Sequence, residues 1–316
     1  MCTHPSGHLA KFRQACFSFG SFWKPLFERP ATSESEAVIH LMAEYSEREL
    51  THETDILNAL AGILHAAEEN FPAFAHYWGV PVLRGIVSCK KDESCPPKSN
   101  SSLPFMLGLS WSHDRRSAGL IERRNEFPSW SWAGWKAPLY SFAWDRRFCV
   151  AAKCLPLPAK IPASELIFCR DLNVKIEMLD STLVDSSDVQ EHKVEASQLS
   201  RYLHVTAPTT PILVERTSVS EEQPGIHFLH GRGPPWTFCI PSKQPSTEPL
   251  PGLALHLMSF NKIDAMLPGG GAMRVEYLLV ALVDGVYERL GIFSWHSYDL
   301  DVDKLMDGTV QTIRIG

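Results

Sequence analysis

Three tryptophans within six residues are the most unusual chemical feature of this chain: Phe127 to Trp135 reads Phe-Pro-Ser-Trp-Ser-Trp-Ala-Gly-Trp. In an extended strand, Trp130 and Trp132 point to one face and Ser129, Ser131 and Ala133 to the other. Two indoles so placed can stack bases or sugars as a platform. They can equally fill one side of a core while the small residues opposite admit a second layer, and the core reading is favoured. Gly134 then permits a bulge or a close backbone approach. Arginine pairs surround the segment at Arg115-Arg116, Arg123-Arg124 and Arg146-Arg147, and seven Lys and Arg stand against four Asp and Glu between Ser101 and Val150. Such an excess could hold an anion. Stacking of guanidinium groups on the indoles, and pairing with Asp114, Glu122, Glu126 and Asp145, accounts for it more simply. Arg48 and Asp55 form a quieter pair, expected to bridge the turn at Leu50-Thr51 and fix an interhelical angle.

Other constellations fail on spacing. Cys2, His4 and His8 could ligate a metal, but they belong to a terminal stretch expected to move. Asp299, Asp301 and Asp303 imitate the start of a calcium loop, yet Lys304 stands where the turn wants Gly and Val310 where a bidentate Glu is needed. Gly269-Gly270-Gly271 precedes a strand pattern rather than a helix, so no helix N-terminus is there to hold a phosphate. His230-Gly231-Arg232-Gly233 has the look of an esterase oxyanion loop, but the chain has no Gly-x-Ser-x-Gly elbow. No catalytic residue, cofactor site or metal site is therefore assigned.

The elements that must position these residues follow from hydrophobic period. Val38, Leu41, Met42 and Tyr45 recur at helical spacing. A second helix is expected from about Thr51, whose hydroxyl suits an N-cap, with Ile56, Leu57, Leu60, Ile63, Leu64 and Ala67 on its buried stripe and a break at Asn70 to Pro72. A polar stretch, 89–102, reads as a surface loop. Beyond it, short apolar runs alternate with turn residues: Phe148–Ala152, Leu166–Phe168, Val174–Met178, Tyr202–Thr206, Ile212–Val214, Leu253–Met258, Val275–Val283 and Gly291–Trp295. Asp284-Gly285 and Asp307-Gly308 read as hairpin turns, and the prolines between Pro208 and Pro251 as loops. The expected fold is α+β: an irregular aromatic-rich stretch (1–34), a helical segment (35–88), a loop (89–102) and an antiparallel β-rich domain, sandwich or barrel-like (103–316).

Composition narrows the function classes. The 316 residues are 44% hydrophobic and 21% charged, enough for a packed core. A net charge of −6 argues against a bulk electrostatic nucleic-acid binder. No apolar run reaches the length of a membrane-spanning helix. The patch from Phe17 to Phe27 is broken by Gly20, Lys24 and Pro25, so no secretory signal is expected. Eight scattered cysteines then read as reduced thiols of a cytoplasmic protein.

Several of these segments together resemble a known family. Ala43 to Leu64, through Tyr45-Ser46, Arg48, Leu50-Thr51, Asp55, Leu57, Ala59 and Gly62, resembles the helical stretch that follows the conserved block of fungal heterokaryon-incompatibility (HET) domain proteins. Leu109-Ser-Trp111, Arg123-Arg124 and Phe127 to Trp135 resemble the hallmark downstream of it, and Tyr287-Glu-Arg-Leu-Gly291 is similar to a late strand. The early Leu-Ser-Tyr-x-Trp-type and Cys-x-Asn-Gln-type blocks of the family have no counterpart here. The resemblance is thus to a carboxyl-terminal portion, as from a truncated or misannotated gene or a degenerate paralogue. It implies growth arrest or cell death on fusion of unlike hyphae. Any NAD-consuming activity of the kind found in the related TIR-type domains would belong to the other portion. The expectation is a non-catalytic regulatory or scaffold portion with protein partners and no nucleic acid, in which Arg48, Thr51, Asp55, Arg123, Arg124, Trp130, Trp132, Gly134 and Trp135 are structural. The alternatives are an enzyme, NAD-glycohydrolase-like or an unrecognised hydrolase, and an aromatic and arginine nucleic-acid module.

Overall fold

The structure, a computed structural model, describes residues 34–71, 74–83, 87–88, 102–113, 122–142, 161–162, 166–168, 172–190, 196–218, 224–229, 236–238, 250–261, 273–297 and 308–316. The aromatic-rich start, most of the expected loop and the expected strand Phe148–Ala152 lie outside these residues.

Helices α1 (Glu34–Ser46) and α2 (Ile56–Asn70) open the described chain. Their predicted stripes are inward: Val38, Leu41, Met42 and Tyr45 on α1, and Ile56, Leu60, Ile63, Leu64 and Ala67 on α2, are buried, and Leu57 of α2 is half-buried against the same core. The start of α2 corrects the sequence reading. Thr51 lies exposed in a bend, and a 3-10 turn, Glu53–Asp55, intervenes before α2. That turn closes through backbone, Asp55 N–H donating to the His52 carbonyl at 3.0 Å. Asp55, at the cap position of α2, makes no side-chain cap bond.

Strands β1 (Phe74–Tyr77) and β2 (Val80–Leu83) form a hairpin inside the stretch read as helical. After β3 (Val87–Ser88) comes a short helix, α3 (Leu103–Leu109), then β4 (Trp111–His113), β5 (Glu122–Arg123), β6 (Trp135–Lys136) and β7 (Leu139–Phe142). β4 pairs with β7 and β5 with β6. α1 packs on β7, α2 on β1 and α3 on β2.

The remainder is mostly strand: β8 (Ile161–Pro162), β9 (Leu166–Phe168), β10 (Asn173–Met178), β11 (Leu183–Asp185), a short α4 (Ser186–Gln190), β12 (Leu199–Ser218), β13 (Pro224–Leu229), β14 (Trp236–Phe238), β15 (Leu250–Asn261), β16 (Met273–Val283), β17 (Val286–Ser297) and β18 (Thr309–Ile315). The large sheet runs β11-β10-β12-β18-β17-β16-β15-β9. β12 closes it. Thr209 faces Thr309 of β18 on one side and Leu255 of β15 on the other. The ring β12-β18-β17-β16-β15 is therefore a barrel, antiparallel except for one parallel pair, Tyr287 with Ile315. The fold is α+β.

The prolines of β12 overturn the expected loop over its second half. Pro208 falls where the β10 ladder has ended and the β15 ladder has not begun, and Pro211 where β18 has ended and β13 has not begun. A residue without an N–H suits a stretch where one edge of the strand has no partner to receive it. The Asp284-Gly285 turn is as expected. It joins β16 to β17 with Asp284 at φ +48° and Gly285 at φ +80°, the left-handed pair a tight hairpin requires. Buried apolar side chains from α1, α2, the first hairpin, α3, the tryptophan segment and the inner barrel face form one contiguous core.

Candidate functional site

The tryptophan segment is not a strand. Residues 129–131 turn, Trp132–Gly134 make one 3-10 turn, and only Trp135 and Lys136 join a strand. The Ser131 hydroxyl caps that turn by accepting from the Ala133 N–H at 3.1 Å. The alternation of faces expected of a strand is thereby lost. The indoles instead radiate from a compact knot, and every one is buried: Trp130 is 0%, Trp132 1% and Trp135 4% exposed.

Each of these indole N–H groups finds a backbone carbonyl, two of them on other elements and two within the segment itself. Trp130 Nε1 donates to Arg201 of β12 at 3.0 Å, and Trp132 Nε1 to Gly79 in the β1–β2 turn at 2.8 Å. Trp135 Nε1 reaches Ser129 at 2.7 Å, while Trp111 Nε1 of β4 donates to Trp130 at 3.0 Å. A buried indole needs such an acceptor. Here the acceptors staple hairpin, barrel and knot to one another. Tyr77 stacks on Trp130 with ring centroids 5.3 Å apart, and Phe105 meets Trp130 edge-on. The hairpin turn is shaped for this union: Trp78 adopts φ +50° and Gly79 φ +79°, aiming carbonyls at Ser131 and Trp132.

The arginines are inside the same knot. Arg123 donates to the carbonyls of Gly134 at 2.8 Å and Phe127 at 2.7 Å, with its guanidinium 5.2 Å from the Trp135 ring centre. Burial pushes its pKa down to about 10. Arg124 is 6% exposed, bonds Glu53 at 2.6 Å and donates to the carbonyl of Trp135. Lys136 reaches the same Glu53 at 2.8 Å. Burial pushes the Glu53 carboxyl up, but the bonds from Lys136 and Arg124 outweigh it and hold the group below its ordinary value. Gly134 is obligatory, because a Cβ there would collide with the Pro128 carbonyl and lie 2.6 Å from an Arg123 nitrogen. Arg115, Arg116, Arg146 and Arg147 lie outside the described residues.

Three members of the knot received no role from the sequence. Arg289 of β17 is 0% exposed, with its guanidinium 3.5 Å above the Trp111 ring centre. It donates to the carbonyls of Leu109 and Trp111, and burial drives its pKa well down. Ser129 ties the barrel in: its N–H and hydroxyl both donate to the Gly316 carbonyl, and its hydroxyl accepts the Arg289 N–H at 2.9 Å. His113 of β4 lies between Trp111 and Trp135, at ring distances of 4.9 and 6.4 Å. Arg289 falls in the Tyr287-to-Gly291 stretch, which was noted as a motif. His113 has no local signal, and the place of Ser129 on a small-residue face says nothing of its bonds, because no local pattern reveals which rings and carbonyls a His or Ser will meet.

The helical part of the predicted set is peripheral. Arg48 lies over the Tyr45 ring at 5.4 Å, and Asp55 and Thr51 are exposed. Cys2, His4, His8, His230 to Gly233, Gly269 to Gly271 and Asp299 to Asp303 lie outside the described residues. Among the described residues, no group of three or more His, Cys, Asp or Glu is placed to hold a metal ion. No helix among them is long and apolar enough to cross a membrane. No protein-family model, curated protein or solved structure matches the chain.

Proposed function

We propose that this chain is a non-catalytic regulatory or scaffold portion of a HET-type protein, acting through protein partners in self/non-self recognition and programmed cell death. One observation supports the non-catalytic reading. The side chains that carry the resemblance, Arg123, Arg124, Trp130, Trp132 and Trp135, spend their polar atoms on backbone carbonyls and on Glu53 inside the core. A motif used in this way holds elements in a fixed relation, and the carbonyls and carboxylate it serves are the chain's own. The buried indoles also speak against the stacking-platform alternative, which needs open ring faces.

The test is twofold. Purified chain incubated with NAD is expected to release no nicotinamide above the buffer rate. Expressed in a filamentous fungus, the chain alone is expected to leave growth normal, and with a HET-domain protein of that fungus it is expected to change the extent of growth arrest. Sustained NAD turnover, or an arrest unaffected by the chain, overturns the reading.

A further inference from the structure

We infer that His113 is an acid-sensitive latch: its neutral imidazole is a condition for the β4–β7 ribbon to stay clamped between α1 and β17, and its protonation releases that clamp. The argument begins with what faces the ring. On its own strand, Trp111 meets it edge-on at 4.9 Å, and Trp135 of β6 does so at 6.4 Å. The stretch leading into β7 offers one acceptor, the Pro138 carbonyl, 3.2 Å from Nδ1. A carbonyl only accepts, so Nδ1 carries the proton and Nε2 is bare. Nε2 is buried with no hydrogen-bond partner among the described residues. The charged groups acting on the ring are both cations, Arg289 of β17 and Arg124 after β5. The Glu53 carboxylate is already taken by Arg124 and Lys136.

Protonation would therefore place an N–H with no acceptor, and a further positive charge, beside two guanidinium groups in a space lined by indoles. Both effects favour the open state. Burial accordingly holds the His113 pKa down at about 3, against an ordinary value of 6.5. The strain has a short route outward. Leu139, next to the Pro138 acceptor, donates its N–H to the Ser46 hydroxyl at 2.7 Å, and Ser46 is the last residue of α1. On the other side, β4 is held to β17 by Arg289, which donates to the Trp111 carbonyl.

The sign follows from linkage. The clamped state binds the proton less readily than the open state, so clamping is at full strength above about pH 6.5 and weakens as pH falls toward 3. Hydrogen-exchange protection factors for amides of α1, β4 and β7, measured from pH 7 to 4, are expected to fall with pH, approaching tenfold per unit below about pH 6. In His113→Gln this slope is expected to flatten by about one proton. His76→Gln is the control, since His76 of β1 is half-buried and interacts with Glu68 of α2 rather than with the ribbon's own acceptor. A slope unchanged in His113→Gln overturns the latch. If that variant does not fold, NMR titration of the His113 imidazole in the native chain decides. Protonation near pH 6.5 with unmoved β4 and β7 amides overturns the proposal, and protonation only together with loss of those amides' protection supports it.

Discussion

Replacing Trp132 with alanine tests the central packing claim, that the knot is the joint of the fold. The ring is 1% exposed and its Nε1 donates to the Gly79 carbonyl at 2.8 Å. Burial of about 200 Å² of indole at roughly 25 cal/mol per Å² gives an upper figure near 5 kcal/mol. Loss of the bond to Gly79 adds about 1 kcal/mol, less whatever water entering the void gives back. The hairpin turn cannot slump into the space freely, because a Cβ at Gly79 would already lie 2.6 Å from Leu57 and Gly79 holds φ +79°. The expected loss is therefore about 3–5 kcal/mol. Urea unfolding followed by circular dichroism reads it as a lower midpoint at an unchanged slope. Trp132→Phe separates the two contributions: it keeps most of the buried area, loses the N–H and should cost about 1–2 kcal/mol. A loss under about 1 kcal/mol in the alanine variant refutes the reasoning, since a ring that matters so little is not holding the hairpin to the knot.

Further outcomes follow from the same geometry. Arg289→Lys should destabilise by about 2–3 kcal/mol, because an ammonium cannot serve both carbonyls while lying flat on Trp111; thermal unfolding of the purified variant reads this. Gly108→Ala in α3 should fold poorly or lose more than about 2 kcal/mol, since its Cβ would drive into the Pro81 carbonyl of β2; soluble yield and melting temperature check it. Glu177 of β10 bonds Arg314 of β18 at 2.7 and 2.8 Å and His204 of β12 at 2.8 Å, and the Arg314 bonds above all hold its carboxyl below the ordinary value. A depressed carboxylate stabilises above its unfolded value and loses that contribution as pH falls through its folded one. Glu177→Gln should thus cost about 1–2 kcal/mol at pH 7, and the gap to the native chain should narrow as pH falls below the ordinary carboxylate value of about 4.3; urea midpoints across that pH range measure it.

The sequence by itself determined the elements whose signal is local. The helical stripes of α1 and α2 were legible because apolar residues recur with the turn of a helix, and all of those residues but the half-buried Leu57 are buried. The Asp284-Gly285 hairpin was legible because few residue pairs adopt two left-handed conformations. Burial of Trp130 and Trp132 was also legible from size and apolarity. Their geometry was not, since two tryptophans spaced by one residue look like a strand face, and only the Ser131 cap and the carbonyls waiting on distant elements turn them into a 3-10 knot. Tertiary structure likewise decided the prolines of β12, which the sequence reads as breakers and the sheet places at gaps between ladders. It decided the roles of Ser129, His113 and Arg289 as well. What those residues do depends on acceptors, rings and charges far away along the chain, and no local pattern encodes which of these will be brought within hydrogen-bonding distance.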